Sequence, residues 1–248
     1  MFGWLKDPED KQDLLFSYAP LQSAPTRLNL VEKFPLIYNQ LQTNSCVANS
    51  VGMAFMVQLL QQKEKFFTPS RLFIYYNARH LDNPNSISDS GTYLRSGIKS
   101  VATYGACDES IWKFDSGKVN QKPYKSLKYD PYISAEGKQV QRYERVPKSR
   151  DGVKRALLDG SAVVFGLYLC NNFHTQLEKN NYVFQKPDGP IVSGHALTLI
   201  GWDDDKQAFN VRNSWGKKWG LDGHFWLPYE ILESNNADDL WKITFIEK

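Results

Sequence analysis

Apolar side chains recur every three or four residues in three segments of the first half of the chain, which predicts three helices. These helices cover residues 46–62, 70–80 and 93–104, and the last is followed by Gly105, a residue common directly after helices. The pattern of the first segment is carried by Val47, Val51, Ala54, Phe55 and Leu59. The first half of the chain is therefore expected to be mainly helical.

The second half of the chain shows the alternation and the short apolar runs that are typical of strands. Residues 138–146 alternate, and a short helix over 151–158 precedes an apolar strand over 162–169. Four further strands are predicted over 195–201, 209–213, 224–227 and 241–247. Helices followed by strands predict an α+β protein of two lobes, about 29–120 and about 121–248, with a cleft between them.

The first 28 residues are polar with scattered aromatics and contain the steps Ala19-Pro20 and Ala24-Pro25. Because a proline disfavours helix in the residue before it, this segment is predicted to be an extended N-terminal arm. Its opening residues carry charges where a signal peptide would be apolar, so no signal peptide is predicted. A cytoplasmic location and export by a leaderless route both stay open.

Composition excludes several classes of protein. The 248 residues are 42% hydrophobic and 23% charged, which is typical of a folded chain with a real core. No apolar run approaches the roughly 18 residues of a membrane span, so an integral membrane protein is not expected. A net charge of +3 over this length gives no electrostatic reason to expect nucleic acid or an anionic membrane as a partner.

The three cysteines, Cys46, Cys107 and Cys170, are far apart and form no CxxC pair, which fits neither a disulfide framework nor a zinc cluster. Cys46 falls in the first turn of a predicted helix that Asn44 or Ser45 can cap. Helix N-termini favour negative charge and lower the pKa of a thiol, so Cys46 is a candidate nucleophile. The simpler interpretation of an isolated cysteine is a small buried apolar residue.

A nucleophilic thiol needs an imidazole, and His195 is the best placed of four histidines because it opens a predicted strand. His80 ends a helix, His174 is predicted in a polar loop and His224 in a strand, and structural roles are expected for these three. Asn213 follows His195 by eighteen residues, a distance over which a two-stranded hairpin returns to its starting edge. Asn213 can therefore reach and orient the imidazole.

Gln40 lies six residues before Cys46, and its side-chain amide could donate to an oxyanion beside the thiol, with the Cys46 backbone N–H as the second donor. Three segments that hold these residues resemble the papain-like cysteine peptidases of family C1. They are the pair NQ at 39–40 followed by CVANS at 46–50, SGHALTLIGWDDD at 193–205, and FNVRNSWGKKWGLDGHFWL at 209–227. The resemblance extends from about residue 29 to 248 and is closest to the compact bacterial and viral-type branch.

The resemblance implies a two-lobed papain-like fold, with the nucleophile helix in a helical left lobe and an antiparallel, β-barrel-like right lobe. It implies Cys46 as nucleophile, His195 as general base and then acid, Asn213 as the group that orients the imidazole, and Gln40 as oxyanion donor. Trp215 would cover the hydrogen bond between Asn213 and His195. The reaction implied is hydrolysis of a peptide bond through a thioester acyl-enzyme.

The resemblance also implies where a substrate binds. An extended peptide is expected to lie against Ser90, Gly91 and Gly194, with Trp215 beside them, and a glycine without Cβ would allow close approach of its backbone. Protein or peptide substrates are the expected partners of a monomer, and no metal or organic cofactor is expected. The sequence lacks the paired histidines near 80–90 that a carboxydipeptidase of this family carries, which favours an endopeptidase.

Two positions depart from the family pattern. Val47 stands where an aromatic residue is usual, and Thr43 replaces a cysteine that normally forms a disulfide. Neither Cys107 nor Cys170 occupies the place of a missing partner, so both are predicted to be unpaired. Neither departure removes a group with a role in the implied reaction.

Residues 29–248 are thus expected to form the peptidase domain, and residues 1–28 an arm that could act as a short pro-segment by lying along or near the cleft. Two other functions stay open. The chain could be a catalytically silent relative that binds peptides, although its intact catalytic set argues against this. The same triad could also transfer an acyl group to an amine, although a third member that is an asparagine is more typical of peptidases.

Overall fold

The computed structural model describes residues 3–31, 36–85, 87–124 and 130–246. The helices are α1 (Cys46–Gln61), α2 (Arg71–Asp82), α3 (Leu94–Tyr104), α4 (Pro131–Ala135), α5 (Arg150–Leu158), α6 (Phe173–Lys179) and α7 (Tyr229–Glu233). The strands are β1 (Trp4–Leu5), β2 (Arg27–Asn29), β3 (Thr92–Tyr93), β4 (Val140–Arg145), β5 (Val163–Cys170), β6 (Ile191–Asp203), β7 (Ala208–Arg212), β8 (His224–Pro228) and β9 (Ala237–Ile246). The α+β class predicted from the sequence is confirmed.

The left lobe is built around α1, which packs on α2 and α3 and, on its other side, on β6 and β9. Every residue of α1 from Cys46 to Leu59 is buried, because this helix lies between the two lobes and has no face in solvent. A Cβ on Gly97 would meet Val47 at 2.6 Å, so α3 packs closely against the first turn of α1. This close approach explains why a small Val47 fits where the resemblance leads one to expect an aromatic ring.

The right lobe is an antiparallel sheet of order β4-β9-β5-β6-β7-β8, with β2 added to β6. Its described end strands β4 and β8 do not pair with each other, so the sheet is open and the predicted barrel-like lobe is not a closed barrel. The interior face of β5 and β6 forms one core with α5, and the opposite face packs on α1. The long strand β6 therefore connects the cores of both lobes.

The predicted helices and strands match the observed ones closely, with three main differences. Strands β6 and β9 each begin four residues earlier than predicted, at Ile191 and Ala237. His174, predicted in a loop, lies in the helix α6, because Phe173 and Leu177 bury one face of that segment under the sheet.

The N-terminal arm contacts both lobes. Strand β1 pairs in parallel with β3 at the start of α3, whereas β2 pairs with the far end of β6. Between them, Phe16 is buried in the core of the right lobe. Only the first residues of the described arm thus reach the space between the lobes, and its later part belongs to the right lobe.

All three cysteines are free and buried, as predicted for Cys107 and Cys170. Within the described ranges, the helices include none with the length and apolar character needed to cross a membrane.

Candidate active site

Cys46 is the first residue of α1, held there by a compact turn. Ser45 occupies the N-cap, but its side chain makes no capping hydrogen bond. Its hydroxyl instead pairs with the Thr43 hydroxyl at 2.7 Å and accepts from Asn49 Nδ2 at 3.0 Å. Thr43 also donates to Gln40 O at 2.7 Å, so hydrogen bonds fix the turn at the position where the family usually has a disulfide.

His195 lies in β6 and contacts Asn213, the residue that follows β7, with 2.8 Å between His195 Nε2 and Asn213 Oδ1. The amide oxygen of Asn213 can only accept, and it also accepts from the Ser214 backbone N–H at 2.7 Å, which fixes its orientation. Nε2 of His195 therefore carries the proton, and Nδ1 is the basic nitrogen of the neutral ring. The hairpin of β6 and β7 brings the two residues together as predicted.

Trp215 stacks on His195 with ring centroids 4.8 Å apart and an interplanar angle of 21°. It also stacks on His174, with ring centroids 4.8 Å apart. The half-buried indole thus covers the imidazole next to its bond with Asn213. A covered hydrogen bond between neutral groups is stronger than one exposed to water.

Gln40 is fully buried beside this group. Its Nε2 donates to Thr43 O at 2.7 Å, and its Oε1 accepts from the Ser214 hydroxyl at 2.6 Å. These two bonds fix the direction of the amide. Because an amide nitrogen carries two hydrogens, Nε2 has a second one to donate.

The Cys46 sulfur accepts a hydrogen bond from the Gly3 backbone N–H at 3.3 Å. The backbone N–H groups of Ala196, Gly3, Val47 and Cys46 itself act to lower the pKa of the thiol. Ala196 directly follows His195 in β6, so the strand that holds the histidine passes beside the thiol. The sequence elements predicted to hold the nucleophile and the base are thus adjacent in the fold.

Both groups are nevertheless held in their neutral forms in this structure. Cys46 and His195 are each 0% exposed. Burial raises the pKa of the Cys46 thiol above its usual value, and this outweighs the backbone hydrogen bonds that lower it. Burial also lowers the pKa of His195 to about 4, although the hydrogen bond to Asn213 acts in the opposite direction. Gly3 of the N-terminal arm contacts the thiol, and Trp215 covers the imidazole.

Gly3 of the arm lies directly on the thiol. Its N–H donates to Cys46 Sγ at 3.3 Å, and its carbonyl accepts from the Thr92 N–H at 2.9 Å. A Cβ on Gly3 would stand 1.7 Å from the Asn44 carbonyl oxygen, so only glycine fits between the arm and the start of α1.

Gly91, in the loop before β3, also packs closely against Gly3 of the arm. Its φ of +78° belongs to the region that favours glycine, and a Cβ there would stand 2.4 Å from the Gly3 oxygen. Its N–H donates to the Tyr75 hydroxyl at 2.9 Å, which fixes the loop. The hydroxyl of Ser90 donates to the Gly91 carbonyl, and no described contact brings Ser90 to the arm.

Trp4 fills a pocket in the right lobe. Its ring lies where a Cβ on Gly166 or on Gly194 would stand, 2.0 Å and 2.5 Å from the nearest ring atoms. Tyr168 packs on the indole with ring centroids 4.9 Å apart, and the indole N–H donates to Asp239 Oδ2 at 3.1 Å. We call these four residues, Gly166, Tyr168, Gly194 and Asp239, the indole pocket.

Hydrogen bonds and ring stacking join four of the predicted site residues, His195, Asn213, Gln40 and Trp215, in one group. The arm contacts Cys46 and passes Gly91 and Gly194, whereas Ser90 has no described contact with the arm. Sequence reasoning missed Gly166 and Asp239. A glycine inside an apolar strand is a known signal of close approach by another group, and Gly166 in β5 carried that signal. Nothing local marks Asp239, since its role depends on the distant Trp4.

Within the described ranges, the structure contains no group of three or more histidine, cysteine, aspartate or glutamate side chains that could hold a metal ion.

Comparison with known proteins identifies the family of the chain. The papain family of cysteine proteases matches residues 31–238. The fold, a helical lobe and an antiparallel lobe with a cysteine at the start of the central helix, is that of this family of thiol hydrolases. The chain belongs to the papain family of cysteine proteases.

Known proteins resemble nearly the whole chain. A peptidase C1-like protein of Acanthamoeba polyphaga mimivirus is 32% identical, over 98% of this chain and 86% of the viral protein. The structure is similar to that of xylellain, a cysteine protease from Xylella fastidiosa, with a TM-score of 0.88 and 31% identity over 99% of this chain and 96% of xylellain. A procathepsin B from Trypanosoma congolense shares the fold at 14% identity, with a TM-score of 0.75 over 100% of this chain and 87% of that one.

Proposed function

We propose that this protease is an endopeptidase that uses Cys46, His195 and Asn213 as its catalytic triad. The observation that carries the proposal is the 2.8 Å hydrogen bond between His195 and Asn213, next to a buried thiol at the N-terminus of α1. Asn213 acts by orienting the imidazole so that Nδ1 serves as the base. Trp215 keeps water from this bond.

The reaction is an acyl transfer in two stages. His195 takes the proton of Cys46, the sulfur attacks the peptide carbonyl, and a bond from sulfur to carbon forms. Gln40 Nε2 and the Cys46 backbone N–H stabilise the oxyanion. His195 then gives its proton to the leaving amine as the C–N bond breaks.

Water completes the cycle. His195 removes a proton from the water, the oxygen attacks the thioester carbon, and the C–S bond breaks to release the carboxylic acid. The proton returns to the sulfur. No group beyond these side chains and water is needed to balance the reaction.

Substrate is proposed to bind in the space that the arm occupies, as an extended strand along Gly91 with Gly194 on the other side. The hydrogen bond from Thr92 to Gly3 supports this, because it shows that the edge at Gly91 pairs with an extended backbone.

We further propose that residues 3–7 of the arm keep the enzyme latent. The group of the arm that contacts the thiol is the Gly3 N–H, and a sulfur nucleophile cannot attack an N–H group as it attacks a carbonyl carbon. The buried thiol and imidazole are also both neutral. Displacement of this segment would admit water and allow the thiolate to form. Residues 14–29 pack on the right lobe, so release of the first residues does not require removal of the whole arm.

The test uses the full chain and a Trp4→Ala variant, in which the side chain that holds the arm in the pocket is absent. We expect Trp4→Ala to hydrolyse a mixture of fluorogenic peptides at least about tenfold faster than the unaltered chain, because burial of an indole contributes several kcal/mol to docking of the arm. Leu14→Ala, at an exposed arm position, serves as the control and should behave like the unaltered chain. A peptide epoxide should label Cys46 in Trp4→Ala, as located by mass spectrometry.

Three results would contradict these proposals. If Trp4→Ala shows neither hydrolysis nor a Cys46 adduct, the chain is a peptide-binding protein. Transfer of the acyl group to an added amine in place of hydrolysis would indicate an amine transferase. Equal rates for Trp4→Ala and the unaltered chain would overturn latency alone.

A further inference from the structure

The two donors of the proposed oxyanion site come from different parts of the left lobe. Gln40 belongs to the segment that precedes α1, whereas the Cys46 N–H belongs to the first turn of that helix. Donors stabilise an oxyanion fully only when their positions are held to within about 0.5 Å. A contact that fixes the segment of Gln40 against α1 therefore bears on catalysis, and the structure shows such a contact at Arg71.

Arg71, the first residue of α2, contacts both parts through one nitrogen. Its Nη1 donates to the Asn39 carbonyl at 3.1 Å and to Asn49 Oδ1 at 3.3 Å. Asn39 directly precedes Gln40 in the chain. Asn49 lies in the first turn of α1, and its Nδ2 donates to the Ser45 carbonyl at 2.8 Å, next to the nucleophile. Arg71 is thus linked to both segments that carry the oxyanion donors.

The guanidinium of Arg71 is itself held firmly. It is buried, and its Nε and Nη2 both donate to the carboxylate of Glu109. Its central carbon lies 4.3 Å from the centre of the Tyr38 ring and 4.1 Å from the centre of the Phe114 ring. A bidentate ion pair and two ring contacts fix the position and the orientation of a guanidinium. Because Glu109 uses Nε and Nη2, Nη1 serves the two amide acceptors.

The other contacts of Gln40 have a different reach. Its bonds with Thr43 lie within the turn 40–45, and its backbone N–H donates to the Ser214 carbonyl at 2.8 Å, in the right lobe. Arg71 connects the same segment to α2, and through α2 to the body of the left lobe.

We propose that Arg71 is a positioning residue of the oxyanion site, which holds Gln40 at a set distance from the start of α1 so that Gln40 Nε2 and the Cys46 N–H serve one oxygen. This inference rests on the proposed peptidase function. A lysine in place of Arg71 keeps a positive charge opposite Glu109. A single ammonium group, however, cannot pair with Glu109 and also reach both amide acceptors as the planar guanidinium does.

The experiment compares two reactions of the same thiol in the Trp4→Ala background. Hydrolysis of a fluorogenic peptide passes through an oxyanion, whereas alkylation of Cys46 by iodoacetamide displaces iodide at a saturated carbon and forms none. Both are measured for Trp4→Ala alone and with Arg71→Lys or Asn49→Ala added. Asn49→Ala removes the acceptor on α1 and keeps the ion pair of Arg71 with Glu109, so it tests the link even when Arg71→Lys is poorly folded.

Arg71→Lys and Asn49→Ala should each lower kcat by about 10- to 100-fold, since a misplacement of about 1 Å costs up to about a hundred-fold. KM and the rate of alkylation should stay within about threefold, because the lost interaction acts only on the transition state of hydrolysis. The variant with both changes should fall no more than about threefold below the weaker single variant, because both changes break one link.

Arg79→Lys is the matched control. Arg79 lies at the other end of α2, is buried and stacks on Tyr75, with 3.8 Å between the guanidinium carbon and the ring centre. Its terminal nitrogens donate to the carbonyls of Ile87, Ser88 and Val119, and not to the segment of Gln40. The same substitution there should leave kcat within about threefold.

Unchanged kcat in a folded Arg71→Lys or Asn49→Ala variant would overturn the role of Arg71 and leave the peptidase in place. A parallel fall of hydrolysis and alkylation would overturn it too, because the whole site would then have loosened. Alkylation of Cys46 in Trp4→Ala without hydrolysis of any peptide would overturn the proposed peptidase, and the role of Arg71 with it.

Discussion

The hydrogen bond to Asn213 sets which nitrogen of the His195 ring carries the proton. Asn213 Oδ1 accepts from both the imidazole and the Ser214 N–H, so the ring cannot turn over without breaking a buried hydrogen bond. The result is one tautomer with its basic nitrogen at Nδ1. An asparagine can do this without adding a charge, which leaves the imidazole free to become a cation when it takes the thiol proton.

Replacing Asn213 should therefore impair the chemical step more than substrate binding. In the Trp4→Ala background, Asn213→Ala is expected to lower kcat by about 100- to 1,000-fold, within the range of general acid and base catalysis, with a smaller change in KM. The matched control is Asn210→Ala, at a half-buried position of β7 on the same hairpin. Unchanged kcat in Asn213→Ala would show that the imidazole is oriented by other contacts.

The absence of a side chain at Gly166 leaves the space that the Trp4 indole of the arm occupies. We expect Gly166→Ala to expel Trp4 from the pocket, because its Cβ would overlap the indole at 2.0 Å. The measurement is the rate at which iodoacetamide modifies Cys46 in the full chain, with sites assigned by mass spectrometry. The rate should rise at least about tenfold. Gly189→Ala, where a Cβ meets nothing within 4 Å, should leave the rate unchanged.

Among the elements, the segment that follows β1 is anchored by a buried cluster of charges. Asp13 receives two hydrogen bonds from Arg95, at 3.0 and 2.6 Å, and one from Arg145 at 2.6 Å. Arg145 also contacts Asp7 and Asp239. Burial alone would raise the pKa of Asp13, but its bonds to the two arginines hold it below the usual range. The cluster thus joins the arm to both α3 and β4.

Loss of Arg145 should be costly because it would leave three buried carboxylates with only Arg95. We expect Arg145→Ala to lower the free energy of unfolding by about 3–5 kcal/mol, measured by urea denaturation. Arg142→Ala is the control, since Arg142 lies on the same strand and is 64% exposed, and its partner Glu144 keeps a second cation, Lys242, at 3.7 Å. It should cost less than about 1 kcal/mol. Similar losses in the two variants would contradict a structural role for the cluster.

The sequence predicted the elements well because their signals are local. The spacing of apolar residues predicted α1, and the length of the hairpin predicted that His195 and Asn213 would be in contact. The position of Trp4 in a pocket of β5 and β6 could not be predicted, because it depends on partners more than 160 residues away. The same holds for Asp239, which looks like an ordinary turn residue until the arm is in place.

At the scale of the whole molecule, the arm connects the two lobes across the space between them. Its first residues pair with β3 in the left lobe and fill a pocket of the right lobe, while β2 is fixed to the far end of β6. Because the later part of the arm stays bound, the first part has a high effective concentration at the site after release. Latency is therefore expected to be reversible, and its balance depends on conditions that change the affinity of residues 3–7.

The pH is such a condition, because titration of the Asp7 carboxyl changes the affinity of the arm for the cleft. Its buried carboxylate faces Asp239, Arg145, the Arg95 N–H and the Trp241 indole. Burial, followed by repulsion from Asp239, raises the pKa of Asp7 from 3.8 to about 6 in the docked arm. A raised pKa means that docking takes up a proton, so the contribution of Asp7 to docking is fully present below about pH 4 and is lost as the pH rises through 6.

The prediction compares the full chain with its Asp7→Asn variant, which imitates the protonated side chain at every pH. The ratio of their Cys46 alkylation rates cancels the titration of the thiol and of His195. We expect a ratio near one at pH 4 that increases through pH 6, so that at pH 7.5 the unaltered chain reacts several-fold faster, with an upper limit of about a hundred-fold for a shift of two pKa units. Asp7→Asn would thus tighten the arm at neutral pH. If the variant reacted faster than the unaltered chain at pH 7.5, the ion pair with Arg145 would outweigh burial, and the ionised form of Asp7 would be the one that holds the arm in the cleft.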